Sequence, residues 1–77
     1  MDIKYSKQAV KAINKMNNPI KKRIKSAVEK LPNGDIKKLK GYSIAYRLRV
    51  GDYRILFDMS DNIEVTDILS RGEAYKD

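Results

Sequence analysis

Arginine is the residue type here that can do chemistry on an anion, and its placement is uneven. Four of the five arginines, Arg47, Arg49, Arg54 and Arg71, fall in residues 41–77, while the lysines crowd residues 1–40. A guanidinium is a planar fork that grips phosphate or carboxylate through two parallel hydrogen bonds; an ammonium is a flexible point charge. Arg47 and Arg49 are two residues apart, so on a strand they share one face, and Arg54 follows a short turn that brings it back beside them. Arg71 and Tyr75 come later, four residues apart.

The chain has 77 residues, no Cys and no His, and a formal net charge of +7. That length allows one small domain, residues 1–77, without a deep cleft between domains. Disulfides, Cys/His zinc sites and imidazole chemistry are excluded by composition, and the acidic residues are scattered singly, so no metal site or cofactor is expected. Residues 1–40 hold 12 basic and 3 acidic side chains, residues 41–77 hold 5 and 7. The first half is thus a cationic field, and the second, although net acidic, carries the gripping groups. No apolar run approaches the ~20 residues of a membrane span, and MDIKYSKQ lacks the order of a signal peptide, so a cytoplasmic location is expected.

The elements that must position these groups follow from periodicity. Residues 2–5 alternate, as an edge strand would. Ser6 caps a helix with Ala9, Val10, Ile13 and Met16 on its apolar stripe. Asn17-Asn18-Pro19 starts a second helix carrying Ile20, Ile24, Ala27, Val28 and Leu31, and Pro32-Asn33-Gly34 ends it. The spacing predicts a basic loop from Ile36 to Gly41, then strands over 43–49, 53–58 and 62–70 with a tight turn at Val50-Gly51-Asp52. The fold class is α+β: a small antiparallel β-α-α-β-β-β meander covered on one face by a helical hairpin. Its other face is left open and studded with arginine.

Each feature has a plainer reading. The arginines can pair with Asp52, Asp58, Glu64, Asp67 and Glu73 as surface bridges worth ~0–1 kcal/mol each. Lys37, Lys38 and Lys40 suit phosphate contacts or simply a solvated loop; Lys21, Lys22, Arg23 and Lys25 suit a solvated helix face. Tyr42, Tyr46 and Tyr53 can stack on bases or fill the rim of the sheet.

The segment YRLRVGDYRILFD (46–58), followed by a strand and ILSRGEAYK (68–76), resembles the RelE/ParE superfamily of small bacterial and archaeal toxins, and the likeness spans essentially the whole chain. The resemblance implies a curved antiparallel sheet packed by two N-terminal helices. It also implies neutralisation by a cognate antitoxin, a short acidic protein that folds on binding and can build a higher-order toxin–antitoxin oligomer. RelE-like members cut mRNA in the ribosomal A site; ParE-like members poison DNA gyrase. Arg54, Arg71 and Tyr75 match the catalytic pattern of the RNases, Arg47 and Arg49 fall among its strand cations and would orient the RNA, and Lys37, Lys38 and Lys40 would hold ribosomal RNA or backbone phosphates. Ala45 stands where the RelE type often has lysine, which bears on proton transfer more than on phosphate binding. The resemblance thus implies a type II toxin acting as a ribosome-dependent mRNA endonuclease, with a gyrase inhibitor as the alternative.

Overall fold

The computed structural model describes residues 2–39 and 45–70. Its elements run β1 (Ile3–Tyr5), α1 (Lys7–Asn14), α2 (Asn18–Glu29), β2 (Asp35–Lys38), β3 (Ala45–Val50), β4 (Tyr53–Met59) and β5 (Ile63–Ser70). They form the expected α+β arrangement, with five strands in the order β1-β5-β4-β3-β2. The loop expected from Ile36 begins instead as a strand, because Asp35–Lys38 pairs antiparallel with Arg49–Tyr46. A four-residue strand with only Ile36 partly buried carries almost no periodic signal. The N-terminal strand lies at the other edge, parallel to β5 rather than antiparallel.

Both helices start where a side chain meets an unpaired backbone donor. Ser6 Oγ accepts from the Ala9 N–H at 3.0 Å and donates to the Thr66 carbonyl at 2.7 Å, so one hydroxyl caps α1 and ties it to β5. Asn17 Oδ1 accepts from the Ile20 N–H at 3.1 Å, with Pro19 in the first turn of α2. Ala9 and Ile13 of α1 and Ile24 and Val28 of α2 are buried, as their spacing predicts. Val10 is not: it is 43% exposed, while Ala12 takes its place against the core. The buried positions are four apart, and Val10 falls about 100° round the helix from Ala9.

Ile24 and Val28 meet Leu48, Ile55, Phe57, Ile63, Val65 and Ile68 in one core between the helices and a single face of the sheet. Each large side chain buried there contributes roughly 1.5–3 kcal/mol. Ile63, Val65 and Ile68 cannot all point inward on a regular strand, because residues three apart lie on opposite faces. A β-bulge resolves this: Leu56 pairs with Asp67 and Phe57 with Val65, leaving Thr66 as the extra residue. Thr66 Oγ1 donates to the Leu56 carbonyl at 3.2 Å and steadies the bulge. The same slip turns Asp67 and Leu69 off the core face, though Asp67, past the end of β1 at this edge, still meets Gln8 of α1.

The hairpin between β3 and β4 turns on two residues, Gly51 and Asp52. Gly51 has φ +57°, the value a two-residue type I′ or II′ turn requires at its first central position, where a side chain would be strained. Gly34, at φ +131°, leads into β2; a β-carbon there would stand 2.8 Å from Leu48 Cδ1.

Candidate nucleic-acid interface

Alternation and register place the candidate residues. Away from the helices, Asp35, Arg49, Arg54 and Leu69 form one cross-strand row, and Lys37, Arg47, Leu56 and Asp67 form the next. The third row, towards the far end of the strands, is Ala45, Asp58, Glu64 and Lys4. The face is therefore graded along its strands, with guanidiniums at the Gly51 end and carboxylates at the other. Arg49 and Arg54 are direct partners, so their β-carbons are about 5 Å apart. Like charges so placed repel each other, and a phosphate between them would relieve the repulsion with bidentate bonds to both.

The two arginines of β3 differ sharply. Arg49 is exposed, whereas Arg47 is 7% exposed and is the buried charged residue among those described. Arg54 is half-buried. The strand period puts Arg47 and Arg49 on one face, but a period carries no information about which of them is covered. Lys37 is exposed and lies in the same row as Arg47, so β2 adds a cation to this face. Lys38, one residue on, pairs with Tyr46 and belongs to the opposite side of the sheet. Lys37 and Lys38 therefore do not share one face of the sheet. Lys40, Arg71 and Tyr75 lie outside the described residues, as does Tyr42.

The two described tyrosines of this region resolve to the plainer reading. Tyr46 stacks on Phe57, with ring centroids 5.5 Å apart and planes inclined by 21°, and Tyr53 packs against the same core. Both are on the helix side, away from the arginine face. Asp67 is also partly committed: its Oδ1 accepts from the Ile68 N–H at 2.8 Å and its Oδ2 from Gln8 Nε2 at 3.2 Å. No group of three or more Asp or Glu among the described residues could hold a metal ion. No helix among them is long and apolar enough to cross a membrane.

Known proteins were compared with this arrangement. A family model described as ParE toxin of type II toxin-antitoxin system, parDE, matches residues 3–75. The chain belongs to the RelE/ParE superfamily of type II toxin–antitoxin toxins. Toxin RelE3 of Methanocaldococcus jannaschii is 37% identical over 84 residues, covering 97% of this chain and 96% of that protein. Among solved structures, the RelB–RelE antitoxin–toxin complex from Methanococcus jannaschii matches with a TM-score of 0.76 at 34% identity, over 90% of this chain and 91% of that one. The archaeal RelE–RelB complex from Pyrococcus horikoshii OT3 matches with a TM-score of 0.75 at 28% identity, over 95% and 97% of the two chains. The superfamily membership, the helical hairpin and the sheet expected from the YRLRVGDYRILFD segment are thus borne out. The RelE/ParE frame also gives the unevenness of charge a place: Arg47, Arg49 and Arg54 share the side of the sheet away from the core, where Arg47 is buried, Arg54 half-buried and Arg49 exposed.

Proposed function

We propose that this toxin is a ribosome-dependent mRNA endonuclease. The observation that carries the reading is the Arg49–Arg54 pair on the face away from the helices, extended by Lys37. RNA cleavage without imidazole demands that the phosphate be gripped and its charge neutralised, and guanidiniums do both. The ribose 2′-oxygen attacks the adjacent phosphorus as its proton is removed. The bond from phosphorus to the 5′-oxygen breaks, that oxygen takes up a proton, and a 2′,3′-cyclic phosphate remains. Arg54 and Arg71 bind and neutralise the scissile phosphate, and Tyr75 transfers a proton. Arg49 orients the RNA from across the ladder, and Lys37 holds a neighbouring backbone phosphate. Lys38, on the other side of the sheet, and Lys40 hold further phosphates of the message or of ribosomal RNA. Arg47 supports the row from within. The ribosome presents the message in a reactive geometry, which supplies the alignment that this small sheet does not.

Relatives in solved complexes are bound to RelB antitoxins, and we assign this chain a cognate antitoxin as well. A short acidic segment that folds on binding would complement the exposed cations of the toxin, Arg49 and Lys37 among them. A ribosomal target places the protein in the cytoplasm. In a translation reaction, Arg54→Ala and Arg71→Ala should each slow cleavage of the message by ~10²–10³. Cutting by both variants at the unsubstituted rate would overturn the assignment.

One finding favours a second reading, inhibition of DNA gyrase: the matching family model is described as ParE. Parallel assays of gyrase supercoiling and of mRNA integrity during translation separate the two. Loss of supercoiling with intact message would establish the gyrase reading.

A further inference from the structure

An open depression of about 410 Å³ lies between the C-terminal half of α2 and the start of the β2–β3 ladder. Its lining includes Arg23 and Ser26 of α2, Lys30 and Asn33 just beyond it, and Asp35 and Arg49 of the sheet. Arg23 and Lys30 thus line it with a hydroxyl and an amide, over a floor that Ala27, Leu48 and Val50 make largely apolar; Asp35 and Arg49 border it from the sheet with their side chains on the other face. Arg23 is held in a particular way. A β-carbon on Gly51 would stand 3.2 Å from Arg23 Nη1 and 3.4 Å from both Cζ and Nη2. A point nearly equidistant from those three atoms at that range lies above the guanidinium plane, not in it. The guanidinium is therefore laid flat over the Gly51 turn, and its N–H groups, which lie in the plane, are directed sideways. A fork so oriented is set to bind a tetrahedral anion edge-on.

We propose that this depression is a second phosphate subsite, formed by Arg23 and Lys30 with Ser26 and Asn33, for a backbone phosphodiester of RNA other than the scissile one. The proposal rests on the ribonuclease reading and extends it. Arg49 and Arg54 form the second pair from the same two-residue turn that Arg23 covers. A strand whose scissile phosphate sits on the arginine row can pass round the hairpin end, and its next phosphates then reach Arg23. Gly51 allows this close approach: a β-carbon there would press on Arg23 Nη1 at 3.2 Å and push the guanidinium outward by a few tenths of an ångström. The single acid, Asp35, is opposite Arg49 in register, which offsets part of its charge on anions.

The test uses the full chain and a short single-stranded 2′-O-methyl RNA, which lacks the attacking hydroxyl and stays intact. Affinity is followed by fluorescence anisotropy as KCl is raised. Each lost phosphate contact on a single strand lowers the slope of log K against log[salt] by about 0.7. Arg23→Gln should lower the slope by that amount, Lys30→Gln should act similarly, and Arg23→Lys should restore part of the loss. Lys11→Gln, on the exposed side of α1, should leave the slope unchanged. An unchanged slope for Arg23→Gln, beside a lowered one for Arg49→Gln, overturns the subsite and leaves the ribonuclease reading standing. Salt-independent RNA affinity in the unsubstituted chain overturns both. If Arg23→Gln weakens only an acidic peptide and not the RNA, the depression is a protein-binding site and the proposal fails. Circular dichroism melting of each variant confirms that the fold is kept, as expected for exposed positions on a helix surface.

Discussion

Arg49 and Arg54 stand directly opposite each other across the β3–β4 ladder, one residue pair in from the Gly51–Asp52 turn. A sheet ordinarily avoids like charges in that relation. Inorganic phosphate or sulfate should bind between them and raise the melting temperature, because a ligand of the folded state stabilises in proportion to its occupancy. The rise at a given phosphate concentration should shrink in Arg49→Gln and in Arg54→Gln. Equal rises in all three proteins, measured by scanning fluorimetry, would show that the pair holds no anion.

Geometry as well as charge is asked of Arg54. Arg54→Lys keeps the cation but replaces a two-pronged fork with a point charge. Its cleavage rate in a translation reaction should lie between those of Arg54→Ala and the unsubstituted protein. A lysine variant as fast as the arginine protein would mean that only charge matters at this position.

Burial separates Arg47 from Arg49, and stability should follow. Arg47 is 7% exposed, so Arg47→Ala leaves space and strips hydrogen-bonding partners inside the fold, at about 1–3 kcal/mol. Arg49→Ala, on the exposed neighbour, should stay within about 0.5 kcal/mol of the unsubstituted protein. Urea denaturation curves of the two variants measure the difference directly.

Gly34→Ala should destabilise more than an ordinary surface substitution. Its β-carbon would be 2.8 Å from Leu48 Cδ1, a core side chain 2% exposed, and its backbone sits at φ +131°. Strain of this kind costs about 1–3 kcal/mol before the packing clash is added. A thermal midpoint matching that of the unsubstituted protein would contradict the geometry.

Tyr5 gives the fold an alkaline limit. Burial, and then the negative charge of Glu29, push its phenol above the ordinary value of 10.0. The unfolded chain therefore loses this proton at lower pH than the folded one. The associated stability is complete below about pH 10 and is lost as pH rises through the folded-state pKa. In Tyr5→Phe that component is gone, so the stability gap between the two proteins should change above pH 10 and stay constant below it. Urea midpoints taken across that range provide the check.

Much of this protein was legible in its sequence because the signals are local. Ser6 and Asn17 cap helices through atoms three residues away, and the apolar stripes of α1 and α2 follow from the helical period. The RVGDYR run carried both the hairpin and its arginines, since a glycine at positive φ between alternating strands has few alternatives. Other features had no local signature. Strand β2 exists because β3 offers it a partner edge, and four residues with one half-buried isoleucine do not announce that. The slip at Thr66 is a compromise between two strands: β5 must turn Ile63, Val65 and Ile68 towards one core, which no regular period allows.

The sequence by itself determined the kinds of groups available: five guanidiniums, no imidazole, no thiol, and a turn that returns Arg54 beside Arg47 and Arg49. It also carried the superfamily, since the likeness extends over nearly the whole chain, residues 3–75. Tertiary structure alone decided which arginines face each other and which are covered. It set Arg49 opposite Arg54, buried Arg47, divided Lys37 from Lys38 across the sheet, and laid Arg23 of the second helix over Gly51. The physical reason is that charge type is a property of one residue. Register, burial and the approach of a helix to a turn are properties of pairs distant in sequence, fixed only when the core closes.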